Sequence, residues 1–236
     1  MPPVAILAGG LATRLRPMTE QIPKGLIQLA GHPFLYHQLL LLKSRGISDV
    51  VLCVGYLGEM IRSEFKNGRA LGLRLQYSFD GEVLLGTAGA IRRALPLLGE
   101  WFFVLYGDSY LTCDYHAVAE AFLRSESTAL MTIFRNEGRH DTSNVEFVND
   151  RVVAYDKRTR TPAMRHIDYG LGVFQQSAFT NLPGDAPHDL ADVYQRLLQS
   201  GQLAAYEVKE RFYEVGSLAG IRETEEFLLK RTGGLQ

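Results

Sequence analysis

A short apolar segment near the start of the chain ends in two glycines and leads into a basic loop. The run Val4–Ala8 predicts a buried strand, because valine, isoleucine and leucine are typical of a sheet covered on both faces. Gly9 and Gly10 carry no side chain that would keep a bulky anion away from the backbone N–H groups. A hydroxyl and three cations follow, from Thr13, Arg14, Arg16 and Lys24. Two glycines alone would indicate only a turn, but this combination predicts a polyphosphate site.

The common phosphate-loop patterns are missing from this segment. It contains neither Gly-x-x-x-x-Gly-Lys-Ser/Thr nor Gly-x-Gly-x-x-Gly. An ordinary P-loop or a dinucleotide site of the Rossmann type is therefore not supported.

A second glycine-containing segment, Asp80–Ala90, opens a predicted helix. Gly86 and Gly89 would expose backbone donors and acceptors to the flat edge of a ligand. A plain helix cap is an equally good interpretation of these two glycines.

A carboxylate follows the buried strand predicted at 101–106, in the pair Gly107 and Asp108. At the carboxyl end of a strand, Asp108 is well placed for a cation shared with phosphates. A turn or cap residue is the alternative. Asp114 is instead predicted to cap the helix that begins at about Tyr115.

Apolar runs alternate with segments of helical spacing through the first half of the chain. Strands are predicted at 4–8, 50–54, 73–77, 101–106 and 129–133, and helices at 33–45, 57–67 and 115–123, with another ending near 95. This alternation predicts right-handed βαβ units and a mainly parallel sheet, whose ligands bind beyond the carboxyl ends of the strands. Later segments predict a hairpin about Asn149 and Asp150, helices at 189–198 and 218–230, and a strand at 203–206.

Size and charge restrict the classes of function. A chain of 236 residues with 46% hydrophobic content can form one large α/β domain around a substantial core. The net charge of −1 provides no general field for nucleic acid or an anionic membrane. Phosphate binding must therefore be local.

Cysteine usage and the chain start predict the compartment. Cys53 and Cys113 lie far apart in apolar surroundings, which predicts two buried thiols in a reducing cytoplasm. Met1–Pro3 leads directly into a strand without a basic region, so no signal peptide is expected. No apolar run approaches the ~20 residues needed to span a bilayer. We expect a soluble, cytoplasmic protein.

The segment Leu7–Leu26 resembles the loop Gly-Gly-x-Gly-Thr-Arg-Leu-x-Pro-Leu-Thr…Pro-Lys-Pro of sugar-1-phosphate nucleotidyltransferases. Ala12 replaces a glycine of that pattern, and Gly25 replaces its second proline. Four further motifs resemble the same family in the same order, at 80–90, 107–108, 156–157 and 212–217. The resemblance implies a single domain over 1–236 with a Rossmann-like three-layer α/β/α fold and a mixed, mostly parallel sheet. Residues 1–135 would mainly bind the nucleotide, and 136–236 the sugar phosphate.

The resemblance also implies the site residues. Nucleotide contacts are expected from Leu7, Ala8, Gly9, Gly10, Thr13, Gly86, Thr87 and Gly89, and sugar-side contacts from Asn144, Asp168 and Tyr169. Mg²⁺ is the implied cofactor, held by Asp108 and by Glu214, which is one methylene longer than the family's aspartate. Asp168 and Tyr169 stand where relatives carry Asn-Ala, which indicates a different sugar-side contact.

The implied reaction is attack by a sugar-1-phosphate oxygen on the α-phosphorus of a nucleoside triphosphate, with pyrophosphate leaving. Arg14 would hold the β- and γ-phosphates and Lys24 the α-phosphate, while Lys157 would steer the sugar phosphate. A solvated surface charge is the alternative for Lys157. The expected partners are small molecules, without nucleic acid or membrane, in a monomer or homo-oligomer.

The sequence is compatible with several classes of substrate. The short length and the run Leu85–Ile91 most resemble heptose- or mannose-1-phosphate guanylyltransferases. Uridylyltransferases acting on amino-sugar phosphates, phosphocholine-type cytidylyltransferases and a non-catalytic nucleotide-sugar sensor are the alternatives. No acyltransferase activity is expected, because the sequence contains no β-helix of the kind found in larger relatives.

Overall fold

A nine-stranded mixed sheet forms the centre of the protein in the computed structural model, which describes residues 1–182 and 186–233. Its strands are β1 (Val4–Leu7), β4 (Asp49–Val54), β5 (Arg74–Phe79), β6 (Trp101–Tyr106), β8 (Ala129–Arg135), β9 (Val145–Val148), β10 (Arg151–Tyr155), β11 (His166–Gln175) and β12 (Leu203–Val208). Small two-stranded sheets pair β2 (Gln28–Leu29) with β3 (His32–Pro33) and β7 (Ser109–Leu111) with β13 (Phe212–Glu214).

Parallel pairing is concentrated where the alternation of strands and helices predicted it. The order β5-β4-β1-β6 is parallel throughout, so the carboxyl ends of these strands lie at one edge of the sheet. Beyond β6 the next strand, β11, runs in the opposite direction, since it pairs antiparallel with both β6 and β8. The predicted hairpin at Asn149 and Asp150 is confirmed between β9 and β10, and both turn residues have positive φ.

Helices cover both faces of the sheet and make three layers, as predicted. One apolar core lies under α1 (Phe34–Ser44), α2 (Gly58–Phe65) and α4 (Tyr115–Ser125). A second core, on the other face, lies under α3 (Gly86–Ala94) and α5 (Leu190–Gln199). A third joins α6 (Leu218–Gly233) to the loop after β1 through Leu15, Ile27, Val215 and Leu228. The last helix therefore anchors the basic loop.

Local signals in the sequence account for the starts of two helices. Asp114 accepts hydrogen bonds from the backbone N–H groups of His116 and Ala117, which confirms it as the cap of α4. Asp189 caps α5 in the same way, through the N–H of Ala191. Both cysteines are free and buried, as predicted. Within 1–182 and 186–233, no helix has the length and apolar character needed to cross a bilayer.

Candidate active site

The glycine loop lies at the carboxyl end of β1, between the neighbouring strand ends. A Cβ on Gly9 would come within 2.9 Å of the Gly55 nitrogen, so the loop passes too close to the end of β4 for a side chain. Gly10 instead faces open space. Ala12 adopts the left-handed conformation with φ 48°, which explains why the family pattern has glycine there. The Ala12 carbonyl accepts a hydrogen bond from Thr19 Oγ1 at 2.8 Å, which holds this strained turn.

A cavity of about 260 Å³ opens beside this loop. It brings together eight residues predicted for the site, namely Leu7, Ala8, Gly9, Gly10, Lys24, Gly86, Thr87 and Asp108. The lining residues that were not predicted for the site include Asp80, Leu84 and Tyr106. The cavity therefore joins the loops after β1, β5 and β6, which the sequence shows only as separate motifs.

Lys24 and Asp108 form an ion pair within this cavity, with 2.9 Å between Nζ and Oδ2. The backbone of Gly107 sets the position of Asp108. The Gly107 N–H donates a hydrogen bond to the Leu7 carbonyl at 3.1 Å. A Cβ on Gly107 would lie 2.3 Å from the Leu7 carbonyl oxygen. Glycine is therefore required here, and it brings the carboxylate beside the glycine loop.

Glu214 reaches Asp108 through the small sheet of β7 and β13. Glu214 pairs with Ser109 in register, and the Val215 N–H donates to the Asp108 carbonyl at 2.9 Å. Around the Cβ position of Gly216 lie Glu214 Oε2 at 2.8 Å, Arg14 Nη2 at 3.1 Å and Asp108 Oδ2 at 3.5 Å. Two carboxylates and the exposed Arg14 guanidinium thus converge on one point at the edge of the cavity.

The donor set at this point fits Mg²⁺ that arrives with a nucleotide. In the described part of the chain, no group of three or more His, Cys, Asp or Glu side chains is arranged to hold a metal ion. Magnesium in phosphate-transfer sites commonly uses one or two carboxylates together with phosphate oxygens and water. Glu214 already accepts hydrogen bonds from the Gly216 N–H and from Ser217 Oγ. Asp108 also accepts two hydrogen bonds, from Lys24 Nζ and Ser109 Oγ, but it lines the cavity and Glu214 does not. Asp108 is therefore the better placed of the two carboxylates.

Asp80, the first residue of the predicted segment 80–90, is a buried carboxylate in the cavity wall that was not itself predicted to contact a ligand. Its Oδ2 accepts a hydrogen bond from the Leu85 N–H at 3.2 Å, and Arg93 binds its backbone carbonyl. Burial raises the pKa of Asp80, although the Leu85 N–H and the charge of Arg93 oppose this shift. Asp80 therefore shapes the turn that leads into α3.

The start of α3 packs against and forms hydrogen bonds with the segment at the start of α5. Gly86 has φ 71°, and a Cβ there would lie 2.5 Å from the His188 carbonyl oxygen. Thr87 Oγ1 accepts from the Leu190 N–H at 2.6 Å and donates to Asp189 at 3.2 Å. Gly89 does not line the cavity; it packs inside α3 against Leu85 and the 186–188 segment. Of the three predicted contacts here, the structure brings Gly86 and Thr87 to the cavity.

A second polar cluster adjoins the cavity through Tyr106. Lys157 Nζ donates to the Tyr106 hydroxyl at 3.2 Å and lies 5.1 Å from the centre of its ring. The Tyr106 and Tyr155 hydroxyls donate to Asp168 Oδ2 at 3.4 and 3.3 Å. Asn144 Oδ1 accepts from the Asp168 N–H at 2.9 Å. Asn144, Lys157 and Asp168 are therefore brought together, and Asn144 acts on the backbone of Asp168.

Tyr169 is not part of this cluster. It is 2% exposed and packs against Phe134 and Phe212 in the core under α1, α2 and α4. Successive side chains of a strand point to opposite faces, so Asp168 and Tyr169 in β11 cannot both face the site. The expected sugar-side contact of Tyr169 is thus corrected to a place in the core. The register of β11 shifts between Asp168 and Gly172, as at a β-bulge, which bends the strand where Asp168 enters the cluster.

The sequence of this chain is similar to those of known proteins over most of its length. A family model described as nucleotidyl transferase matches residues 4–231. Mannose-1-phosphate guanyltransferase beta-B of Xenopus laevis is 29% identical over 221 residues, covering 89% of this chain and 60% of the relative. N-acetylmuramate alpha-1-phosphate uridylyltransferase of Neisseria meningitidis is 26% identical over 224 residues, covering 93% and 95%.

Among solved structures, HddC from Yersinia pseudotuberculosis complexed with GMP-PN has the same fold. Its TM-score is 0.81 at 23% identity, covering 97% of this chain and 100% of that chain. This likeness establishes the Rossmann-like α/β fold alone. The chain spans 60% of the length of the Xenopus guanyltransferase.

Proposed function

The chain belongs to the nucleotidyl transferase family, and we propose that it transfers a nucleotidyl group from a nucleoside triphosphate to a sugar 1-phosphate, forming a nucleotide sugar and pyrophosphate. The observation that supports this most is the convergence of Arg14, Asp108 and Glu214 beside the cavity that holds the glycine loop and Lys24. Backbone N–H groups and the cations Arg14 and Lys24 can bind the phosphates of a triphosphate. The two carboxylates can hold the metal ion that accompanies it.

The proposed reaction needs alignment and charge neutralisation, with no covalent enzyme intermediate. A sugar-phosphate oxygen forms a new bond to the α-phosphorus as the bond to pyrophosphate breaks. Lys24 neutralises charge on the α-phosphate, and Arg14, which is exposed, holds the β- and γ-phosphates. Lys157 guides the incoming phosphate from the cluster beyond Tyr106.

Asp108, together with Glu214, would hold Mg²⁺, which supplies further positive charge to the triphosphate when bound. Lys24 donates to one oxygen of Asp108. Its ammonium group has three donors, so it can contact the α-phosphate as well as this carboxylate.

For the substrates, we propose GTP with a mannose- or heptose-type 1-phosphate. The guanyltransferase named above supports guanine, whereas the uridylyltransferase supports UTP with an amino-sugar phosphate as the second candidate. The two buried thiols suit a reducing compartment, so we propose a cytoplasmic enzyme that acts on small molecules alone, as a monomer or homo-oligomer.

The test is pyrophosphate release with Mg²⁺, each of the four ribonucleoside triphosphates and a panel of sugar 1-phosphates. We expect release with GTP and mannose 1-phosphate, and loss of release when the metal is chelated. Turnover only with UTP and an amino-sugar phosphate would select the second candidate. Absence of release with every pair, from protein that melts cooperatively, would contradict the proposed function.

A further inference from the structure

A buried side chain of α1 holds the turn that carries Asp108. Gln38 is 1% exposed, and its Nε2 donates to the Ser109 carbonyl at 2.7 Å and to the Tyr106 carbonyl at 3.3 Å. Carbonyl oxygens can only accept, so the nitrogen of this amide must face them. Tyr106 ends β6 and Ser109 begins β7. One NH₂ group therefore spans the turn at residues 107–108.

The pairing of β7 with β13 explains why the Ser109 carbonyl needs a donor from α1. The Val215 N–H donates to the Asp108 carbonyl, which makes residues 108 and 215 a hydrogen-bonded pair. Hydrogen-bonded and non-hydrogen-bonded pairs alternate along an antiparallel ladder, so Ser109 and Glu214 form the other kind of pair. The Ser109 carbonyl consequently points away from β13, and Gln38 supplies the hydrogen bond that β13 does not.

The position of Ser109 decides how the Asp108 carboxylate is oriented. Ser109 Oγ donates to Asp108 Oδ1 at 3.3 Å, while Lys24 Nζ donates to Oδ2 at 2.9 Å. Asp108 lines the cavity beside the glycine loop, whereas Gln38 does not. Gln38 therefore acts on a bound nucleotide only through the turn, by way of Ser109 and Asp108.

His37, the preceding residue of α1, makes a hydrogen bond of the same kind at another place. It is also buried, and its Nε2 lies 2.8 Å from the Leu29 carbonyl oxygen. Neither His37 nor Leu29 lines the cavity. Comparing the two neighbours therefore separates the role of Gln38 at the turn from the packing of α1.

We propose that Gln38 is a positioning residue, which holds Asp108 in the orientation needed by the metal ion that accompanies the triphosphate. This inference rests on the proposed function and concerns the same site. When the amide is removed, the hydrogen bonds of the Gly107 and Val215 N–H groups still hold the turn. We therefore expect the fold to remain, while the carboxylate occupies a wider range of positions and aligns metal and phosphate less well.

Gln38→Met tests the proposal, because methionine has a similar length and no hydrogen-bond donor. Titration calorimetry measures the affinity for each of the four ribonucleoside triphosphates, with Mg²⁺ and with EDTA, in the absence of any sugar phosphate. The wild type should bind its triphosphate more tightly with Mg²⁺, and this gain should shrink by roughly 3- to 10-fold in Gln38→Met. The affinity without metal should be unchanged. The kcat for pyrophosphate release should also fall roughly 10-fold, while the KM for the sugar 1-phosphate stays as in the wild type.

His37→Met is the matched control. It removes the hydrogen bond from α1 to Leu29 and should lower the melting temperature, while the gain from Mg²⁺ stays as in the wild type. In an Asp108→Asn background, Gln38→Met should cause no further loss of this gain, since it acts through the carboxylate. If thermal melting shows that Gln38→Met is unfolded, Gln38→Glu takes its place. Its protonated carboxyl keeps one donor, and a smaller loss is expected.

The outcomes separate the proposal from the proposed function. An equal gain from Mg²⁺ in the wild type and the Gln38 variants would overturn the proposal while leaving the proposed function intact, and so would the same loss in His37→Met. A loss from Gln38→Met that persisted in the Asp108→Asn background would also overturn it, by showing that the amide acts elsewhere. Absence of triphosphate binding and of pyrophosphate release in the wild type would overturn both.

Discussion

Lys24 and Asp108 form an ion pair at the wall of the cavity, and the solvent exposure of the two side chains limits how much this pair contributes to stability. Their side chains are 20% and 32% exposed, so solvent screens much of the attraction. Such pairs contribute about 0–1 kcal/mol to stability. Their importance is therefore positional, because each group is kept where a triphosphate or its metal would need it.

Replacing either group should separate activity from stability. We expect Asp108→Asn and Lys24→Ala each to lower kcat by roughly 100-fold or more, since each removes charge stabilisation at the reacting phosphate. The melting temperature should change by less than about 4 °C. Pyrophosphate release and thermal melting measure the two effects. Asp192→Asn and Lys209→Ala remove exposed charges elsewhere and should keep the wild-type rate. Near-native rates in both site variants would refute these roles.

Asp80 gives a prediction about pH. Burial raises its pKa in the folded protein above that in the unfolded chain, so folding favours the protonated form. The carboxylate consequently lowers stability as the pH rises above about 4. At neutral pH, Asp80→Asn should be more stable than the wild type, because the amide oxygen can still accept from Leu85.

This advantage of Asp80→Asn should shrink as the pH falls below about 4, where Asp80 is protonated. Urea unfolding at several pH values measures it. Glu64→Gln, at an exposed position of α2, is the control and should change stability little at each of these pH values. An advantage that instead grew on acidification would show that Asp80 is stabilised as the anion.

Residue types alone identified the groups that carry charge, but not all of the cavity wall. Lys24 and Asp108 were predictable because a cation beside two glycines and a carboxylate after a strand suit a phosphate site, and the family motifs favoured this interpretation over a turn or cap. Asp80 and Tyr106 were not, since their importance comes from the closure of distant loops around one space. The error at Tyr169 came from carrying over a motif without applying the alternation of a strand, which the sequence already implied.

At the scale of elements, the first turn of α6 explains how the chain accommodates a glutamate at 214. Glu214 folds over this turn and accepts from Gly216 and Ser217. A Cβ on Gly220 would lie 1.8 Å from Glu214 Oε1. The longer side chain therefore fits only because position 220 has no side chain.

Gly220→Ala should consequently destabilise the protein, although alanine normally stabilises a helix by about 0.5–1 kcal/mol relative to glycine. Here the new methyl group must displace the Glu214 carboxylate, and we expect a loss of about 1–3 kcal/mol and a lower kcat. Urea unfolding and pyrophosphate release measure both.

The double variant with Glu214→Ala is the control for Gly220→Ala. In that background the carboxylate is gone and the backbone carbonyl oxygen of residue 214, 2.7 Å from the Cβ position, remains. Gly220→Ala should therefore cost less stability there than it does with Glu214 present. If Gly220→Ala stabilises the protein with Glu214 still present, the packing between the two positions is not as described.

The main elements were predictable because long apolar runs and helical spacing mark them, although their ends differ by a few residues. The pair β7 and β13 was not predicted. Strands of three residues carry too little alternation to be recognised, and their partners lie far apart in the chain. Yet this pair brings Glu214 to Asp108, so the part of the fold that assembles the site is the part with the weakest local signal.

At the scale of the whole molecule, the central sheet crosses the boundary proposed between a nucleotide half and a sugar half. The strand β6 belongs to residues 1–135, and its partner β11 belongs to residues 136–236. They pair over five residues, from Leu105 with Leu171 to Trp101 with Gln175. Thr87 and Asp189 add a side-chain contact across the same division. The two halves therefore share one sheet and its core.

This continuity predicts a single unfolding transition. Trp101, the one tryptophan, lies at the pairing of β6 with β11, so its fluorescence reports on the boundary itself. Urea unfolding followed by this fluorescence and by far-ultraviolet circular dichroism should give coincident curves. A fragment of residues 1–135 should fail to fold, because it would leave the apolar strand β6 with an unpaired edge that favours aggregation. Two separated transitions, or a soluble and cooperatively folded fragment, would show instead that the halves are independent domains joined at β6 and β11.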